Sequence, residues 1–173
     1  MNKSKIEIGI LGGSFDPAHK GHLAISKEAR KRFNLKKIIW AITKKNPLKA
    51  VSKIPIPKRI KNCKKIIGLN NFIKVKFYED IIKSNKTIDL INYLKKKNNL
   101  EIFFLMGADN LINFHKWHKY KSITKKCNII VFDRHGYKKK SLNSMTFKRL
   151  NKTNLKFIEF NKVNISSSQL RKI

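Results

Sequence analysis

Two histidines, His19 and His22, stand behind a pair of adjacent glycines in the string Gly12-Gly13-Ser14-Phe15-Asp16-Pro17-Ala18-His19-Lys20-Gly21-His22-Leu23. Imidazoles at this spacing can offer ring N–H groups to one anion, and backbone at Gly12 and Gly13 can approach that anion with no Cβ in the way. The surrounding pattern says what must hold them. An apolar run from Ile6 to Leu11 precedes the glycines, and His22, Ile25, Ala29 and Phe33 then recur on one face of a helix. The string is expected to be a strand, a glycine turn and a helix start, whose unpaired N–H groups favour negative charge. Glycines after a strand often do no more than turn the chain. Joined to two histidines at a helix start, they suit the phosphates of a nucleotide.

The elements that position this mouth alternate along the chain. Lys37 to Thr43 reads as a strand buried on both faces, and a helix begins near Pro57 and stops at about Gly68. Phe72 to Tyr78 is a third strand. Thr87 reads as the N-cap of a helix that turns Ile88, Ile91 and Leu94 inward. Glu101 to Met106 is a fourth strand, ending in Gly107-Ala108-Asp109, and a short helical region after it holds Trp117. Asn128 to Phe132 is a fifth strand, followed by Arg134-His135-Gly136; residues 142–151 form a weaker helix and Leu155 to Phe160 a last strand. Repeated β–α units with apolar strands imply an α/β domain, a doubly wound parallel sheet spanning residues 1–173 as one unit. Ligands in such sheets sit beyond the carboxyl ends of the strands, where the segments at Gly12, Gly107 and Arg134 all begin.

Composition narrows the function further. The chain has 173 residues, 41% hydrophobic, and a formal net charge of +31. No apolar run approaches the length of a membrane span, and Cys63 and Cys127 have no metal-ligand spacing, so a cytoplasmic protein is expected. Cys63 shares a helical face with Ile56, Ile60 and Ile67, the setting of a small core residue. A chain this basic can bind nucleic acid by neutralising phosphates. The excess is almost all lysine, however, scattered from end to end among asparagines and isoleucines whose codons can be A/T-rich. With no arginine-rich tail and no nucleic-acid module, the charge is read as a solvated surface that draws in small anions.

The string Gly12 to His22 resembles the signature of the nucleotidyltransferases that share an H-x-G-H motif, and His19 is similar to the nicotinate-nucleotide adenylyltransferases in particular. The phosphopantetheine adenylyltransferases usually carry threonine there. Three further segments carry the same resemblance. Gly107-Ala108-Asp109-Asn110-Leu111 with Phe114 and Trp117 looks like the family's G-A-D-N-L and F-x-x-W segment, although the aromatics alone would also suit a helix packed inward. Lys86-Thr87-Ile88-Asp89-Leu90 resembles Y-T-x-x-T-L, with lysine in place of the usual tyrosine and Thr87 retained. Ile165-Ser166-Ser167-Ser168-Gln169-Leu170-Arg171 resembles I-S-S-T-x-I-R, and Asn46-Pro47-Leu48-Lys49 is a substrate-loop string seen in some members.

The resemblance implies a Rossmann-like fold of the nucleotidyltransferase type and transfer of AMP from ATP to nicotinate mononucleotide, with Mg2+ bridging the triphosphate on few or no protein ligands. It implies catalytic roles for His22 and His19. It assigns ATP to Gly12, Gly13, Ser14, Phe15, His19, His22, Gly107, Asp109, Ser167 and Arg171. It assigns nicotinate mononucleotide to Asn46, Lys49, Thr87, Trp117, His118 and Arg134, with Trp117 on the pyridine ring and main-chain N–H groups of Thr87 and His118 on the carboxylate. A phosphopantetheine adenylyltransferase and a basic nucleic-acid-binding protein on the same fold are the competing readings.

Overall fold

A computed structural model describes residues 4–46, 51–150, 154–160 and 170, with Lys97 described by its backbone alone. Six strands form one sheet: β1 (Ile6–Gly13), β2 (Lys37–Ile42), β3 (Ile73–Lys76), β4 (Leu100–Gly107), β5 (Asn128–Phe132) and β6 (Leu155–Ile158). Their order is β3-β2-β1-β4-β5-β6, and every neighbouring pair is parallel. The order reverses between β1 and β4, which places the switch point beside the glycine pair at the end of β1.

The strands alternate strictly across the sheet because each face has its own helices to bury against. Ile8, Ile10, Ile39, Ala41, Ile102, Phe104, Met106, Ile129 and Val131 share one core with Ile88, Ile91 and Leu94 of helix α4 (Thr87–Lys97). Leu11, Ile38, Trp40, Ile42, Leu105, Ile130 and Phe132 share the other with Ala29 of α1 (Lys20–Phe33) and with Cys63 and Ile67 of α2 (Ile56–Ile67). Helix α2 follows the expected bounds: Pro57 stands in its first turn and Gly68, at φ 55, closes it.

Five expectations shift, one of them the last strand, which stops at Ile158 rather than Phe160. The third strand stops at Lys76, short of Tyr78, because Glu79–Ile82 coils into a one-turn helix, α3. Thr87 is the first residue of α4 rather than its cap, since Ser84 Oγ accepts from the Lys86 N–H and donates to Asp89 Oδ2, closing the turn ahead of it. Trp117 follows two short pieces, α5 (Ala108–Ile112) and a 3-10 turn at Phe114–Lys116, before α6 (Tyr120–Lys126). The weak helix over 142–151 is two helices, α7 (Lys138–Leu142) and α8 (Met145–Leu150). Ser144 divides them, its Oγ donating to Ser141 O and accepting from the Phe147 N–H. Residues 161–169 and 171–173, which carry most of the Ile165-to-Arg171 string, lie outside the described residues.

Candidate active site

The turn out of β1 is made by Phe15, at φ 48, and not by the glycines. Neither Gly12 nor Gly13 has a positive φ, and a Cβ on either would meet its nearest neighbour at an ordinary 3.5 Å. The protein's own packing does not demand glycine at these two positions, whereas close approach of a ligand would. The Phe15 ring is 1% exposed, stacked on Trp40 at 5.0 Å and tilted against His22 at 4.8 Å. Its ring is therefore part of the core that supports His22.

His19 caps α1, and the two histidines lock each other. His19 Nδ1 accepts from the Gly21 N–H at 3.1 Å, and His22 Nδ1 accepts from the His19 N–H at 3.1 Å. This is a capping box with imidazoles in place of the usual hydroxyl and carboxyl groups. It corrects the expectation of a bare helix start, because the Gly21 N–H is already taken. It also sets the tautomer: a neutral ring whose Nδ1 accepts carries its proton on Nε2, so both rings, 3.9 Å apart, are Nε2–H donors. Beneath them Ser26, fully buried, donates to His22 O at 2.9 Å and accepts from Trp40 Nε1 at 2.8 Å.

A cavity of ≈ 320 Å³ opens at the end of β1, against the glycine pair, with neither histidine of the box in its lining. Gly12, Gly13, Thr43, Asn46, Ser84 to Thr87, Phe104, Asn110, Trp117 and His118 are among the residues that line it, with Glu79. Trp117 is half-buried, crossing Phe104 at 5.9 Å and 88° and Phe114 at 5.2 Å and 67°. His115 Nδ1, at 3.0 Å from Thr146 Oγ1, fastens the preceding turn to α8. Thr87 and His118 line the cavity, and their main-chain N–H groups make no hydrogen bond to another main-chain group among the described residues. Four residues assigned to nicotinate mononucleotide, Asn46, Thr87, Trp117 and His118, thus converge on one space that also touches the glycine pair.

Other assigned residues sit apart. Arg134 is outside this cavity, its Nη1 donating to Asp109 Oδ2 at 2.5 Å. Gly107 lies under that pair, and a Cβ there would meet Asp109 Oδ1 at 2.6 Å, so the carboxylate's position requires the glycine. Ser14 presents its main-chain carbonyl inward, to Arg59. Lys49, Ser167 and Arg171 lie outside the described residues.

Two polar residues escaped the sequence reading. Arg59, 3% exposed in α2, donates from Nη1 to Ser14 O at 2.7 Å and to Thr43 O at 2.8 Å; burial lowers its pKa. A signal was present, since position 59 lies one helical turn before Cys63 on the apolar face of α2. Glu79 accepts from Thr43 Oγ1 and, at 3.2 Å, from the Lys44 N–H. Among the described residues no group of three or more His, Cys, Asp or Glu could hold a metal ion.

The profile of the cytidylyltransferase-like family matches residues 10–173. A probable nicotinate-nucleotide adenylyltransferase of Pelagibacter ubique is 69% identical over 173 residues, covering 100% of this chain and 96% of its own. A second, from Bradyrhizobium sp. (strain ORS 278), is 36% identical over 141 residues, covering 80% of this chain and 73% of its own. Among solved structures, the Plasmodium falciparum nicotinic acid mononucleotide adenylyltransferase complexed with NaAD superposes with a TM-score of 0.74 at 22% identity, over 96% of this chain and 83% of that one. Its complex with APC gives 0.75 at 23% identity with the same coverage.

Proposed function

Because the chain belongs to the cytidylyltransferase-like family and, within it, to the nicotinate-nucleotide adenylyltransferases, we propose that its cleft transfers AMP from ATP to nicotinate mononucleotide, giving deamido-NAD and pyrophosphate. The observation that carries this is the convergence of Asn46, Thr87, Trp117 and His118 on one cavity bordered by Gly12 and Gly13, the glycines that lead into the turn before the paired histidines. Residues 1–173 act as one catalytic domain, and the free, buried Cys63 and Cys127 suit the cytoplasm as its compartment.

A phosphate oxygen of the mononucleotide attacks the α-phosphorus of ATP, a new P–O bond forms, the bond to the β-phosphate bridging oxygen breaks, and pyrophosphate leaves. The attacking group is already anionic, so no protein nucleophile is required. Nε2–H of His22, and of His19 behind it, donate to phosphate oxygens as charge builds on them; the box fixes both rings beforehand, so little reorganisation is needed in the transition state. Gly12, Gly13 and the Ser14 main chain leave room for the phosphates, and Gly107 and Asp109 flank the nucleotide. Ser167 and Arg171 hold the β and γ phosphates, and Arg134 and Lys49 add positive charge toward the mononucleotide. Trp117 supplies a ring for the pyridine to stack on, while main-chain donors at Thr87 and His118 meet its carboxylate. A divalent cation such as Mg2+, arriving with ATP, would supply charge neutralisation for the triphosphate; Asp109, next to Gly107, is already engaged by Arg134 and would not be its main ligand.

The test offers ATP and Mg2+ with nicotinate mononucleotide, nicotinamide mononucleotide or phosphopantetheine and follows pyrophosphate release. Fastest release with nicotinate mononucleotide is expected. Release with phosphopantetheine alone would overturn the assignment.

A further inference from the structure

We propose that Arg59 is a positioning residue that couples the two halves of the site, holding the phosphate loop after β1 and the substrate loop after β2 in one register. The inference rests on the reaction proposed above. One guanidinium nitrogen, Nη1, bridges the carbonyls of Ser14, at 2.7 Å, and Thr43, at 2.8 Å. Ser14 immediately follows β1 and leads into Phe15, whose ring supports His22; Thr43 immediately follows β2 and stands three residues before Asn46. The root of the histidine loop and the root of the mononucleotide loop therefore meet on a single buried atom.

Thr43 is held at every polar atom. Its N–H donates to Gly13 O at 3.0 Å, its carbonyl accepts from Arg59, and its hydroxyl donates to Glu79. Glu79 also accepts from the Lys44 N–H, which fixes the next residue of the loop. Thr43 is thus a post braced from β1, α2 and α3 at once, and Arg59 is the brace that reaches both loops. An apolar residue of similar length would leave both carbonyls without this donor, and lysine, one atom shorter, would hold them less well.

In an in-line displacement the attacking phosphate and the α-phosphorus are held by different loops, so their separation depends on this brace. Loosening it should spare the binding of each substrate alone and slow their reaction. The experiment compares wild type, Arg59→Lys and Thr43→Val for kcat, for both KM values, for single-turnover AMP transfer, and for binding of each substrate by calorimetry. Arg59→Lys should lower kcat and the single-turnover rate by about 100-fold, the order expected for a displacement of about 1 Å between reacting groups, with both dissociation constants close to wild type. Thr43→Val leaves the carbonyl on Arg59 but removes the hydroxyl from Glu79; it should move the same rates in the same direction by less, and it keeps the proposal testable should Arg59→Lys not fold. Unchanged kcat in either folded variant, or a loss confined to substrate binding, would overturn the coupling role. Absence of transfer in the wild type would instead overturn the reaction itself.

Discussion

Replacing His22 with alanine separates two roles that the capping box combines. The ring supplies Nε2–H to the phosphates, and its Nδ1 accepts the His19 N–H at 3.1 Å. Loss of one preorganised donor to a charge that grows in the transition state costs about 10²- to 10³-fold in kcat, or about 2.7–4 kcal/mol. Loss of the capping acceptor costs about 1 kcal/mol of stability, which for a chain of this size lowers Tm by about 2–4 °C. His22→Asn isolates the two. Its Oδ1 falls where Nδ1 stood and can accept the His19 N–H, but no group reaches the place of Nε2. Pyrophosphate release, ATP affinity and thermal unfolding should therefore be measured on both variants. The alanine protein should lose turnover and a few degrees of Tm, with ATP affinity less affected. The asparagine protein should recover the Tm and stay slow. Near-normal turnover in folded His22→Ala, or recovery of both properties in His22→Asn, would refute the assignment of Nε2–H as the working donor.

Three further outcomes follow from the same geometry. Trp117→Ala should weaken nicotinate and nicotinamide mononucleotides alike, by about 1–3 kcal/mol if pyridine stacking resembles base stacking, while wild-type kcat/KM should favour nicotinate; a charge-assisted hydrogen bond at about 1.5–3 kcal/mol corresponds to about 10- to 160-fold, and equal values would show the Thr87–His118 donors to be misassigned. Burial pushes both Cys63 and Cys127 from 9.0 to about 12, so the folded chain keeps protons that the unfolded chain loses; stability should fall as pH rises from about 9 toward 12, and thiol-labelling rates at neutral pH should track unfolding. Raised salt should slow ATP association modestly if the +31 charge only steers substrates, whereas tight, saturable RNA or DNA binding near 150 mM salt without AMP transfer would favour a nucleic-acid protein.

The sheet was legible because its information is local and periodic. The central strands are apolar runs and the edge strands β3 and β6 alternate, while right-handed crossovers leave few parallel topologies open; the order itself, with its reversal between β1 and β4, comes from the structure. What the sequence blurred lies where a side chain beats propensity over a few residues. Ser84 displaces the start of α4, and Ser144 divides one weak helix into two; each acts through a hydrogen bond to a main-chain group two or three residues away, which hydrophobic periodicity does not register. Four-residue α3 has too short a pattern to find at all.

The site divides along the same line. His19, His22 and Trp117 stand in strings distinctive enough to be assigned before any fold is known, yet how the histidines act was not legible. Their spacing fits a pair of donors at a bare helix start equally well as a pair bound to each other, and only the geometry shows that each Nδ1 is consumed by the backbone and each proton sent to Nε2. Arg59 shows the opposite case. Its helix announces an inward face, but a cation on that face reads as an error in the pattern until Ser14 and Thr43 are seen to bring two carbonyls to it from positions 45 and 16 residues away. A residue whose partners are main-chain atoms of distant loops leaves no pairwise signature in the sequence, because any side chain at those loop positions would provide the same carbonyl. The polar groups that hold this site in register are therefore the part a single sequence hides most thoroughly, and the part on which the proposed alignment of two phosphates depends most.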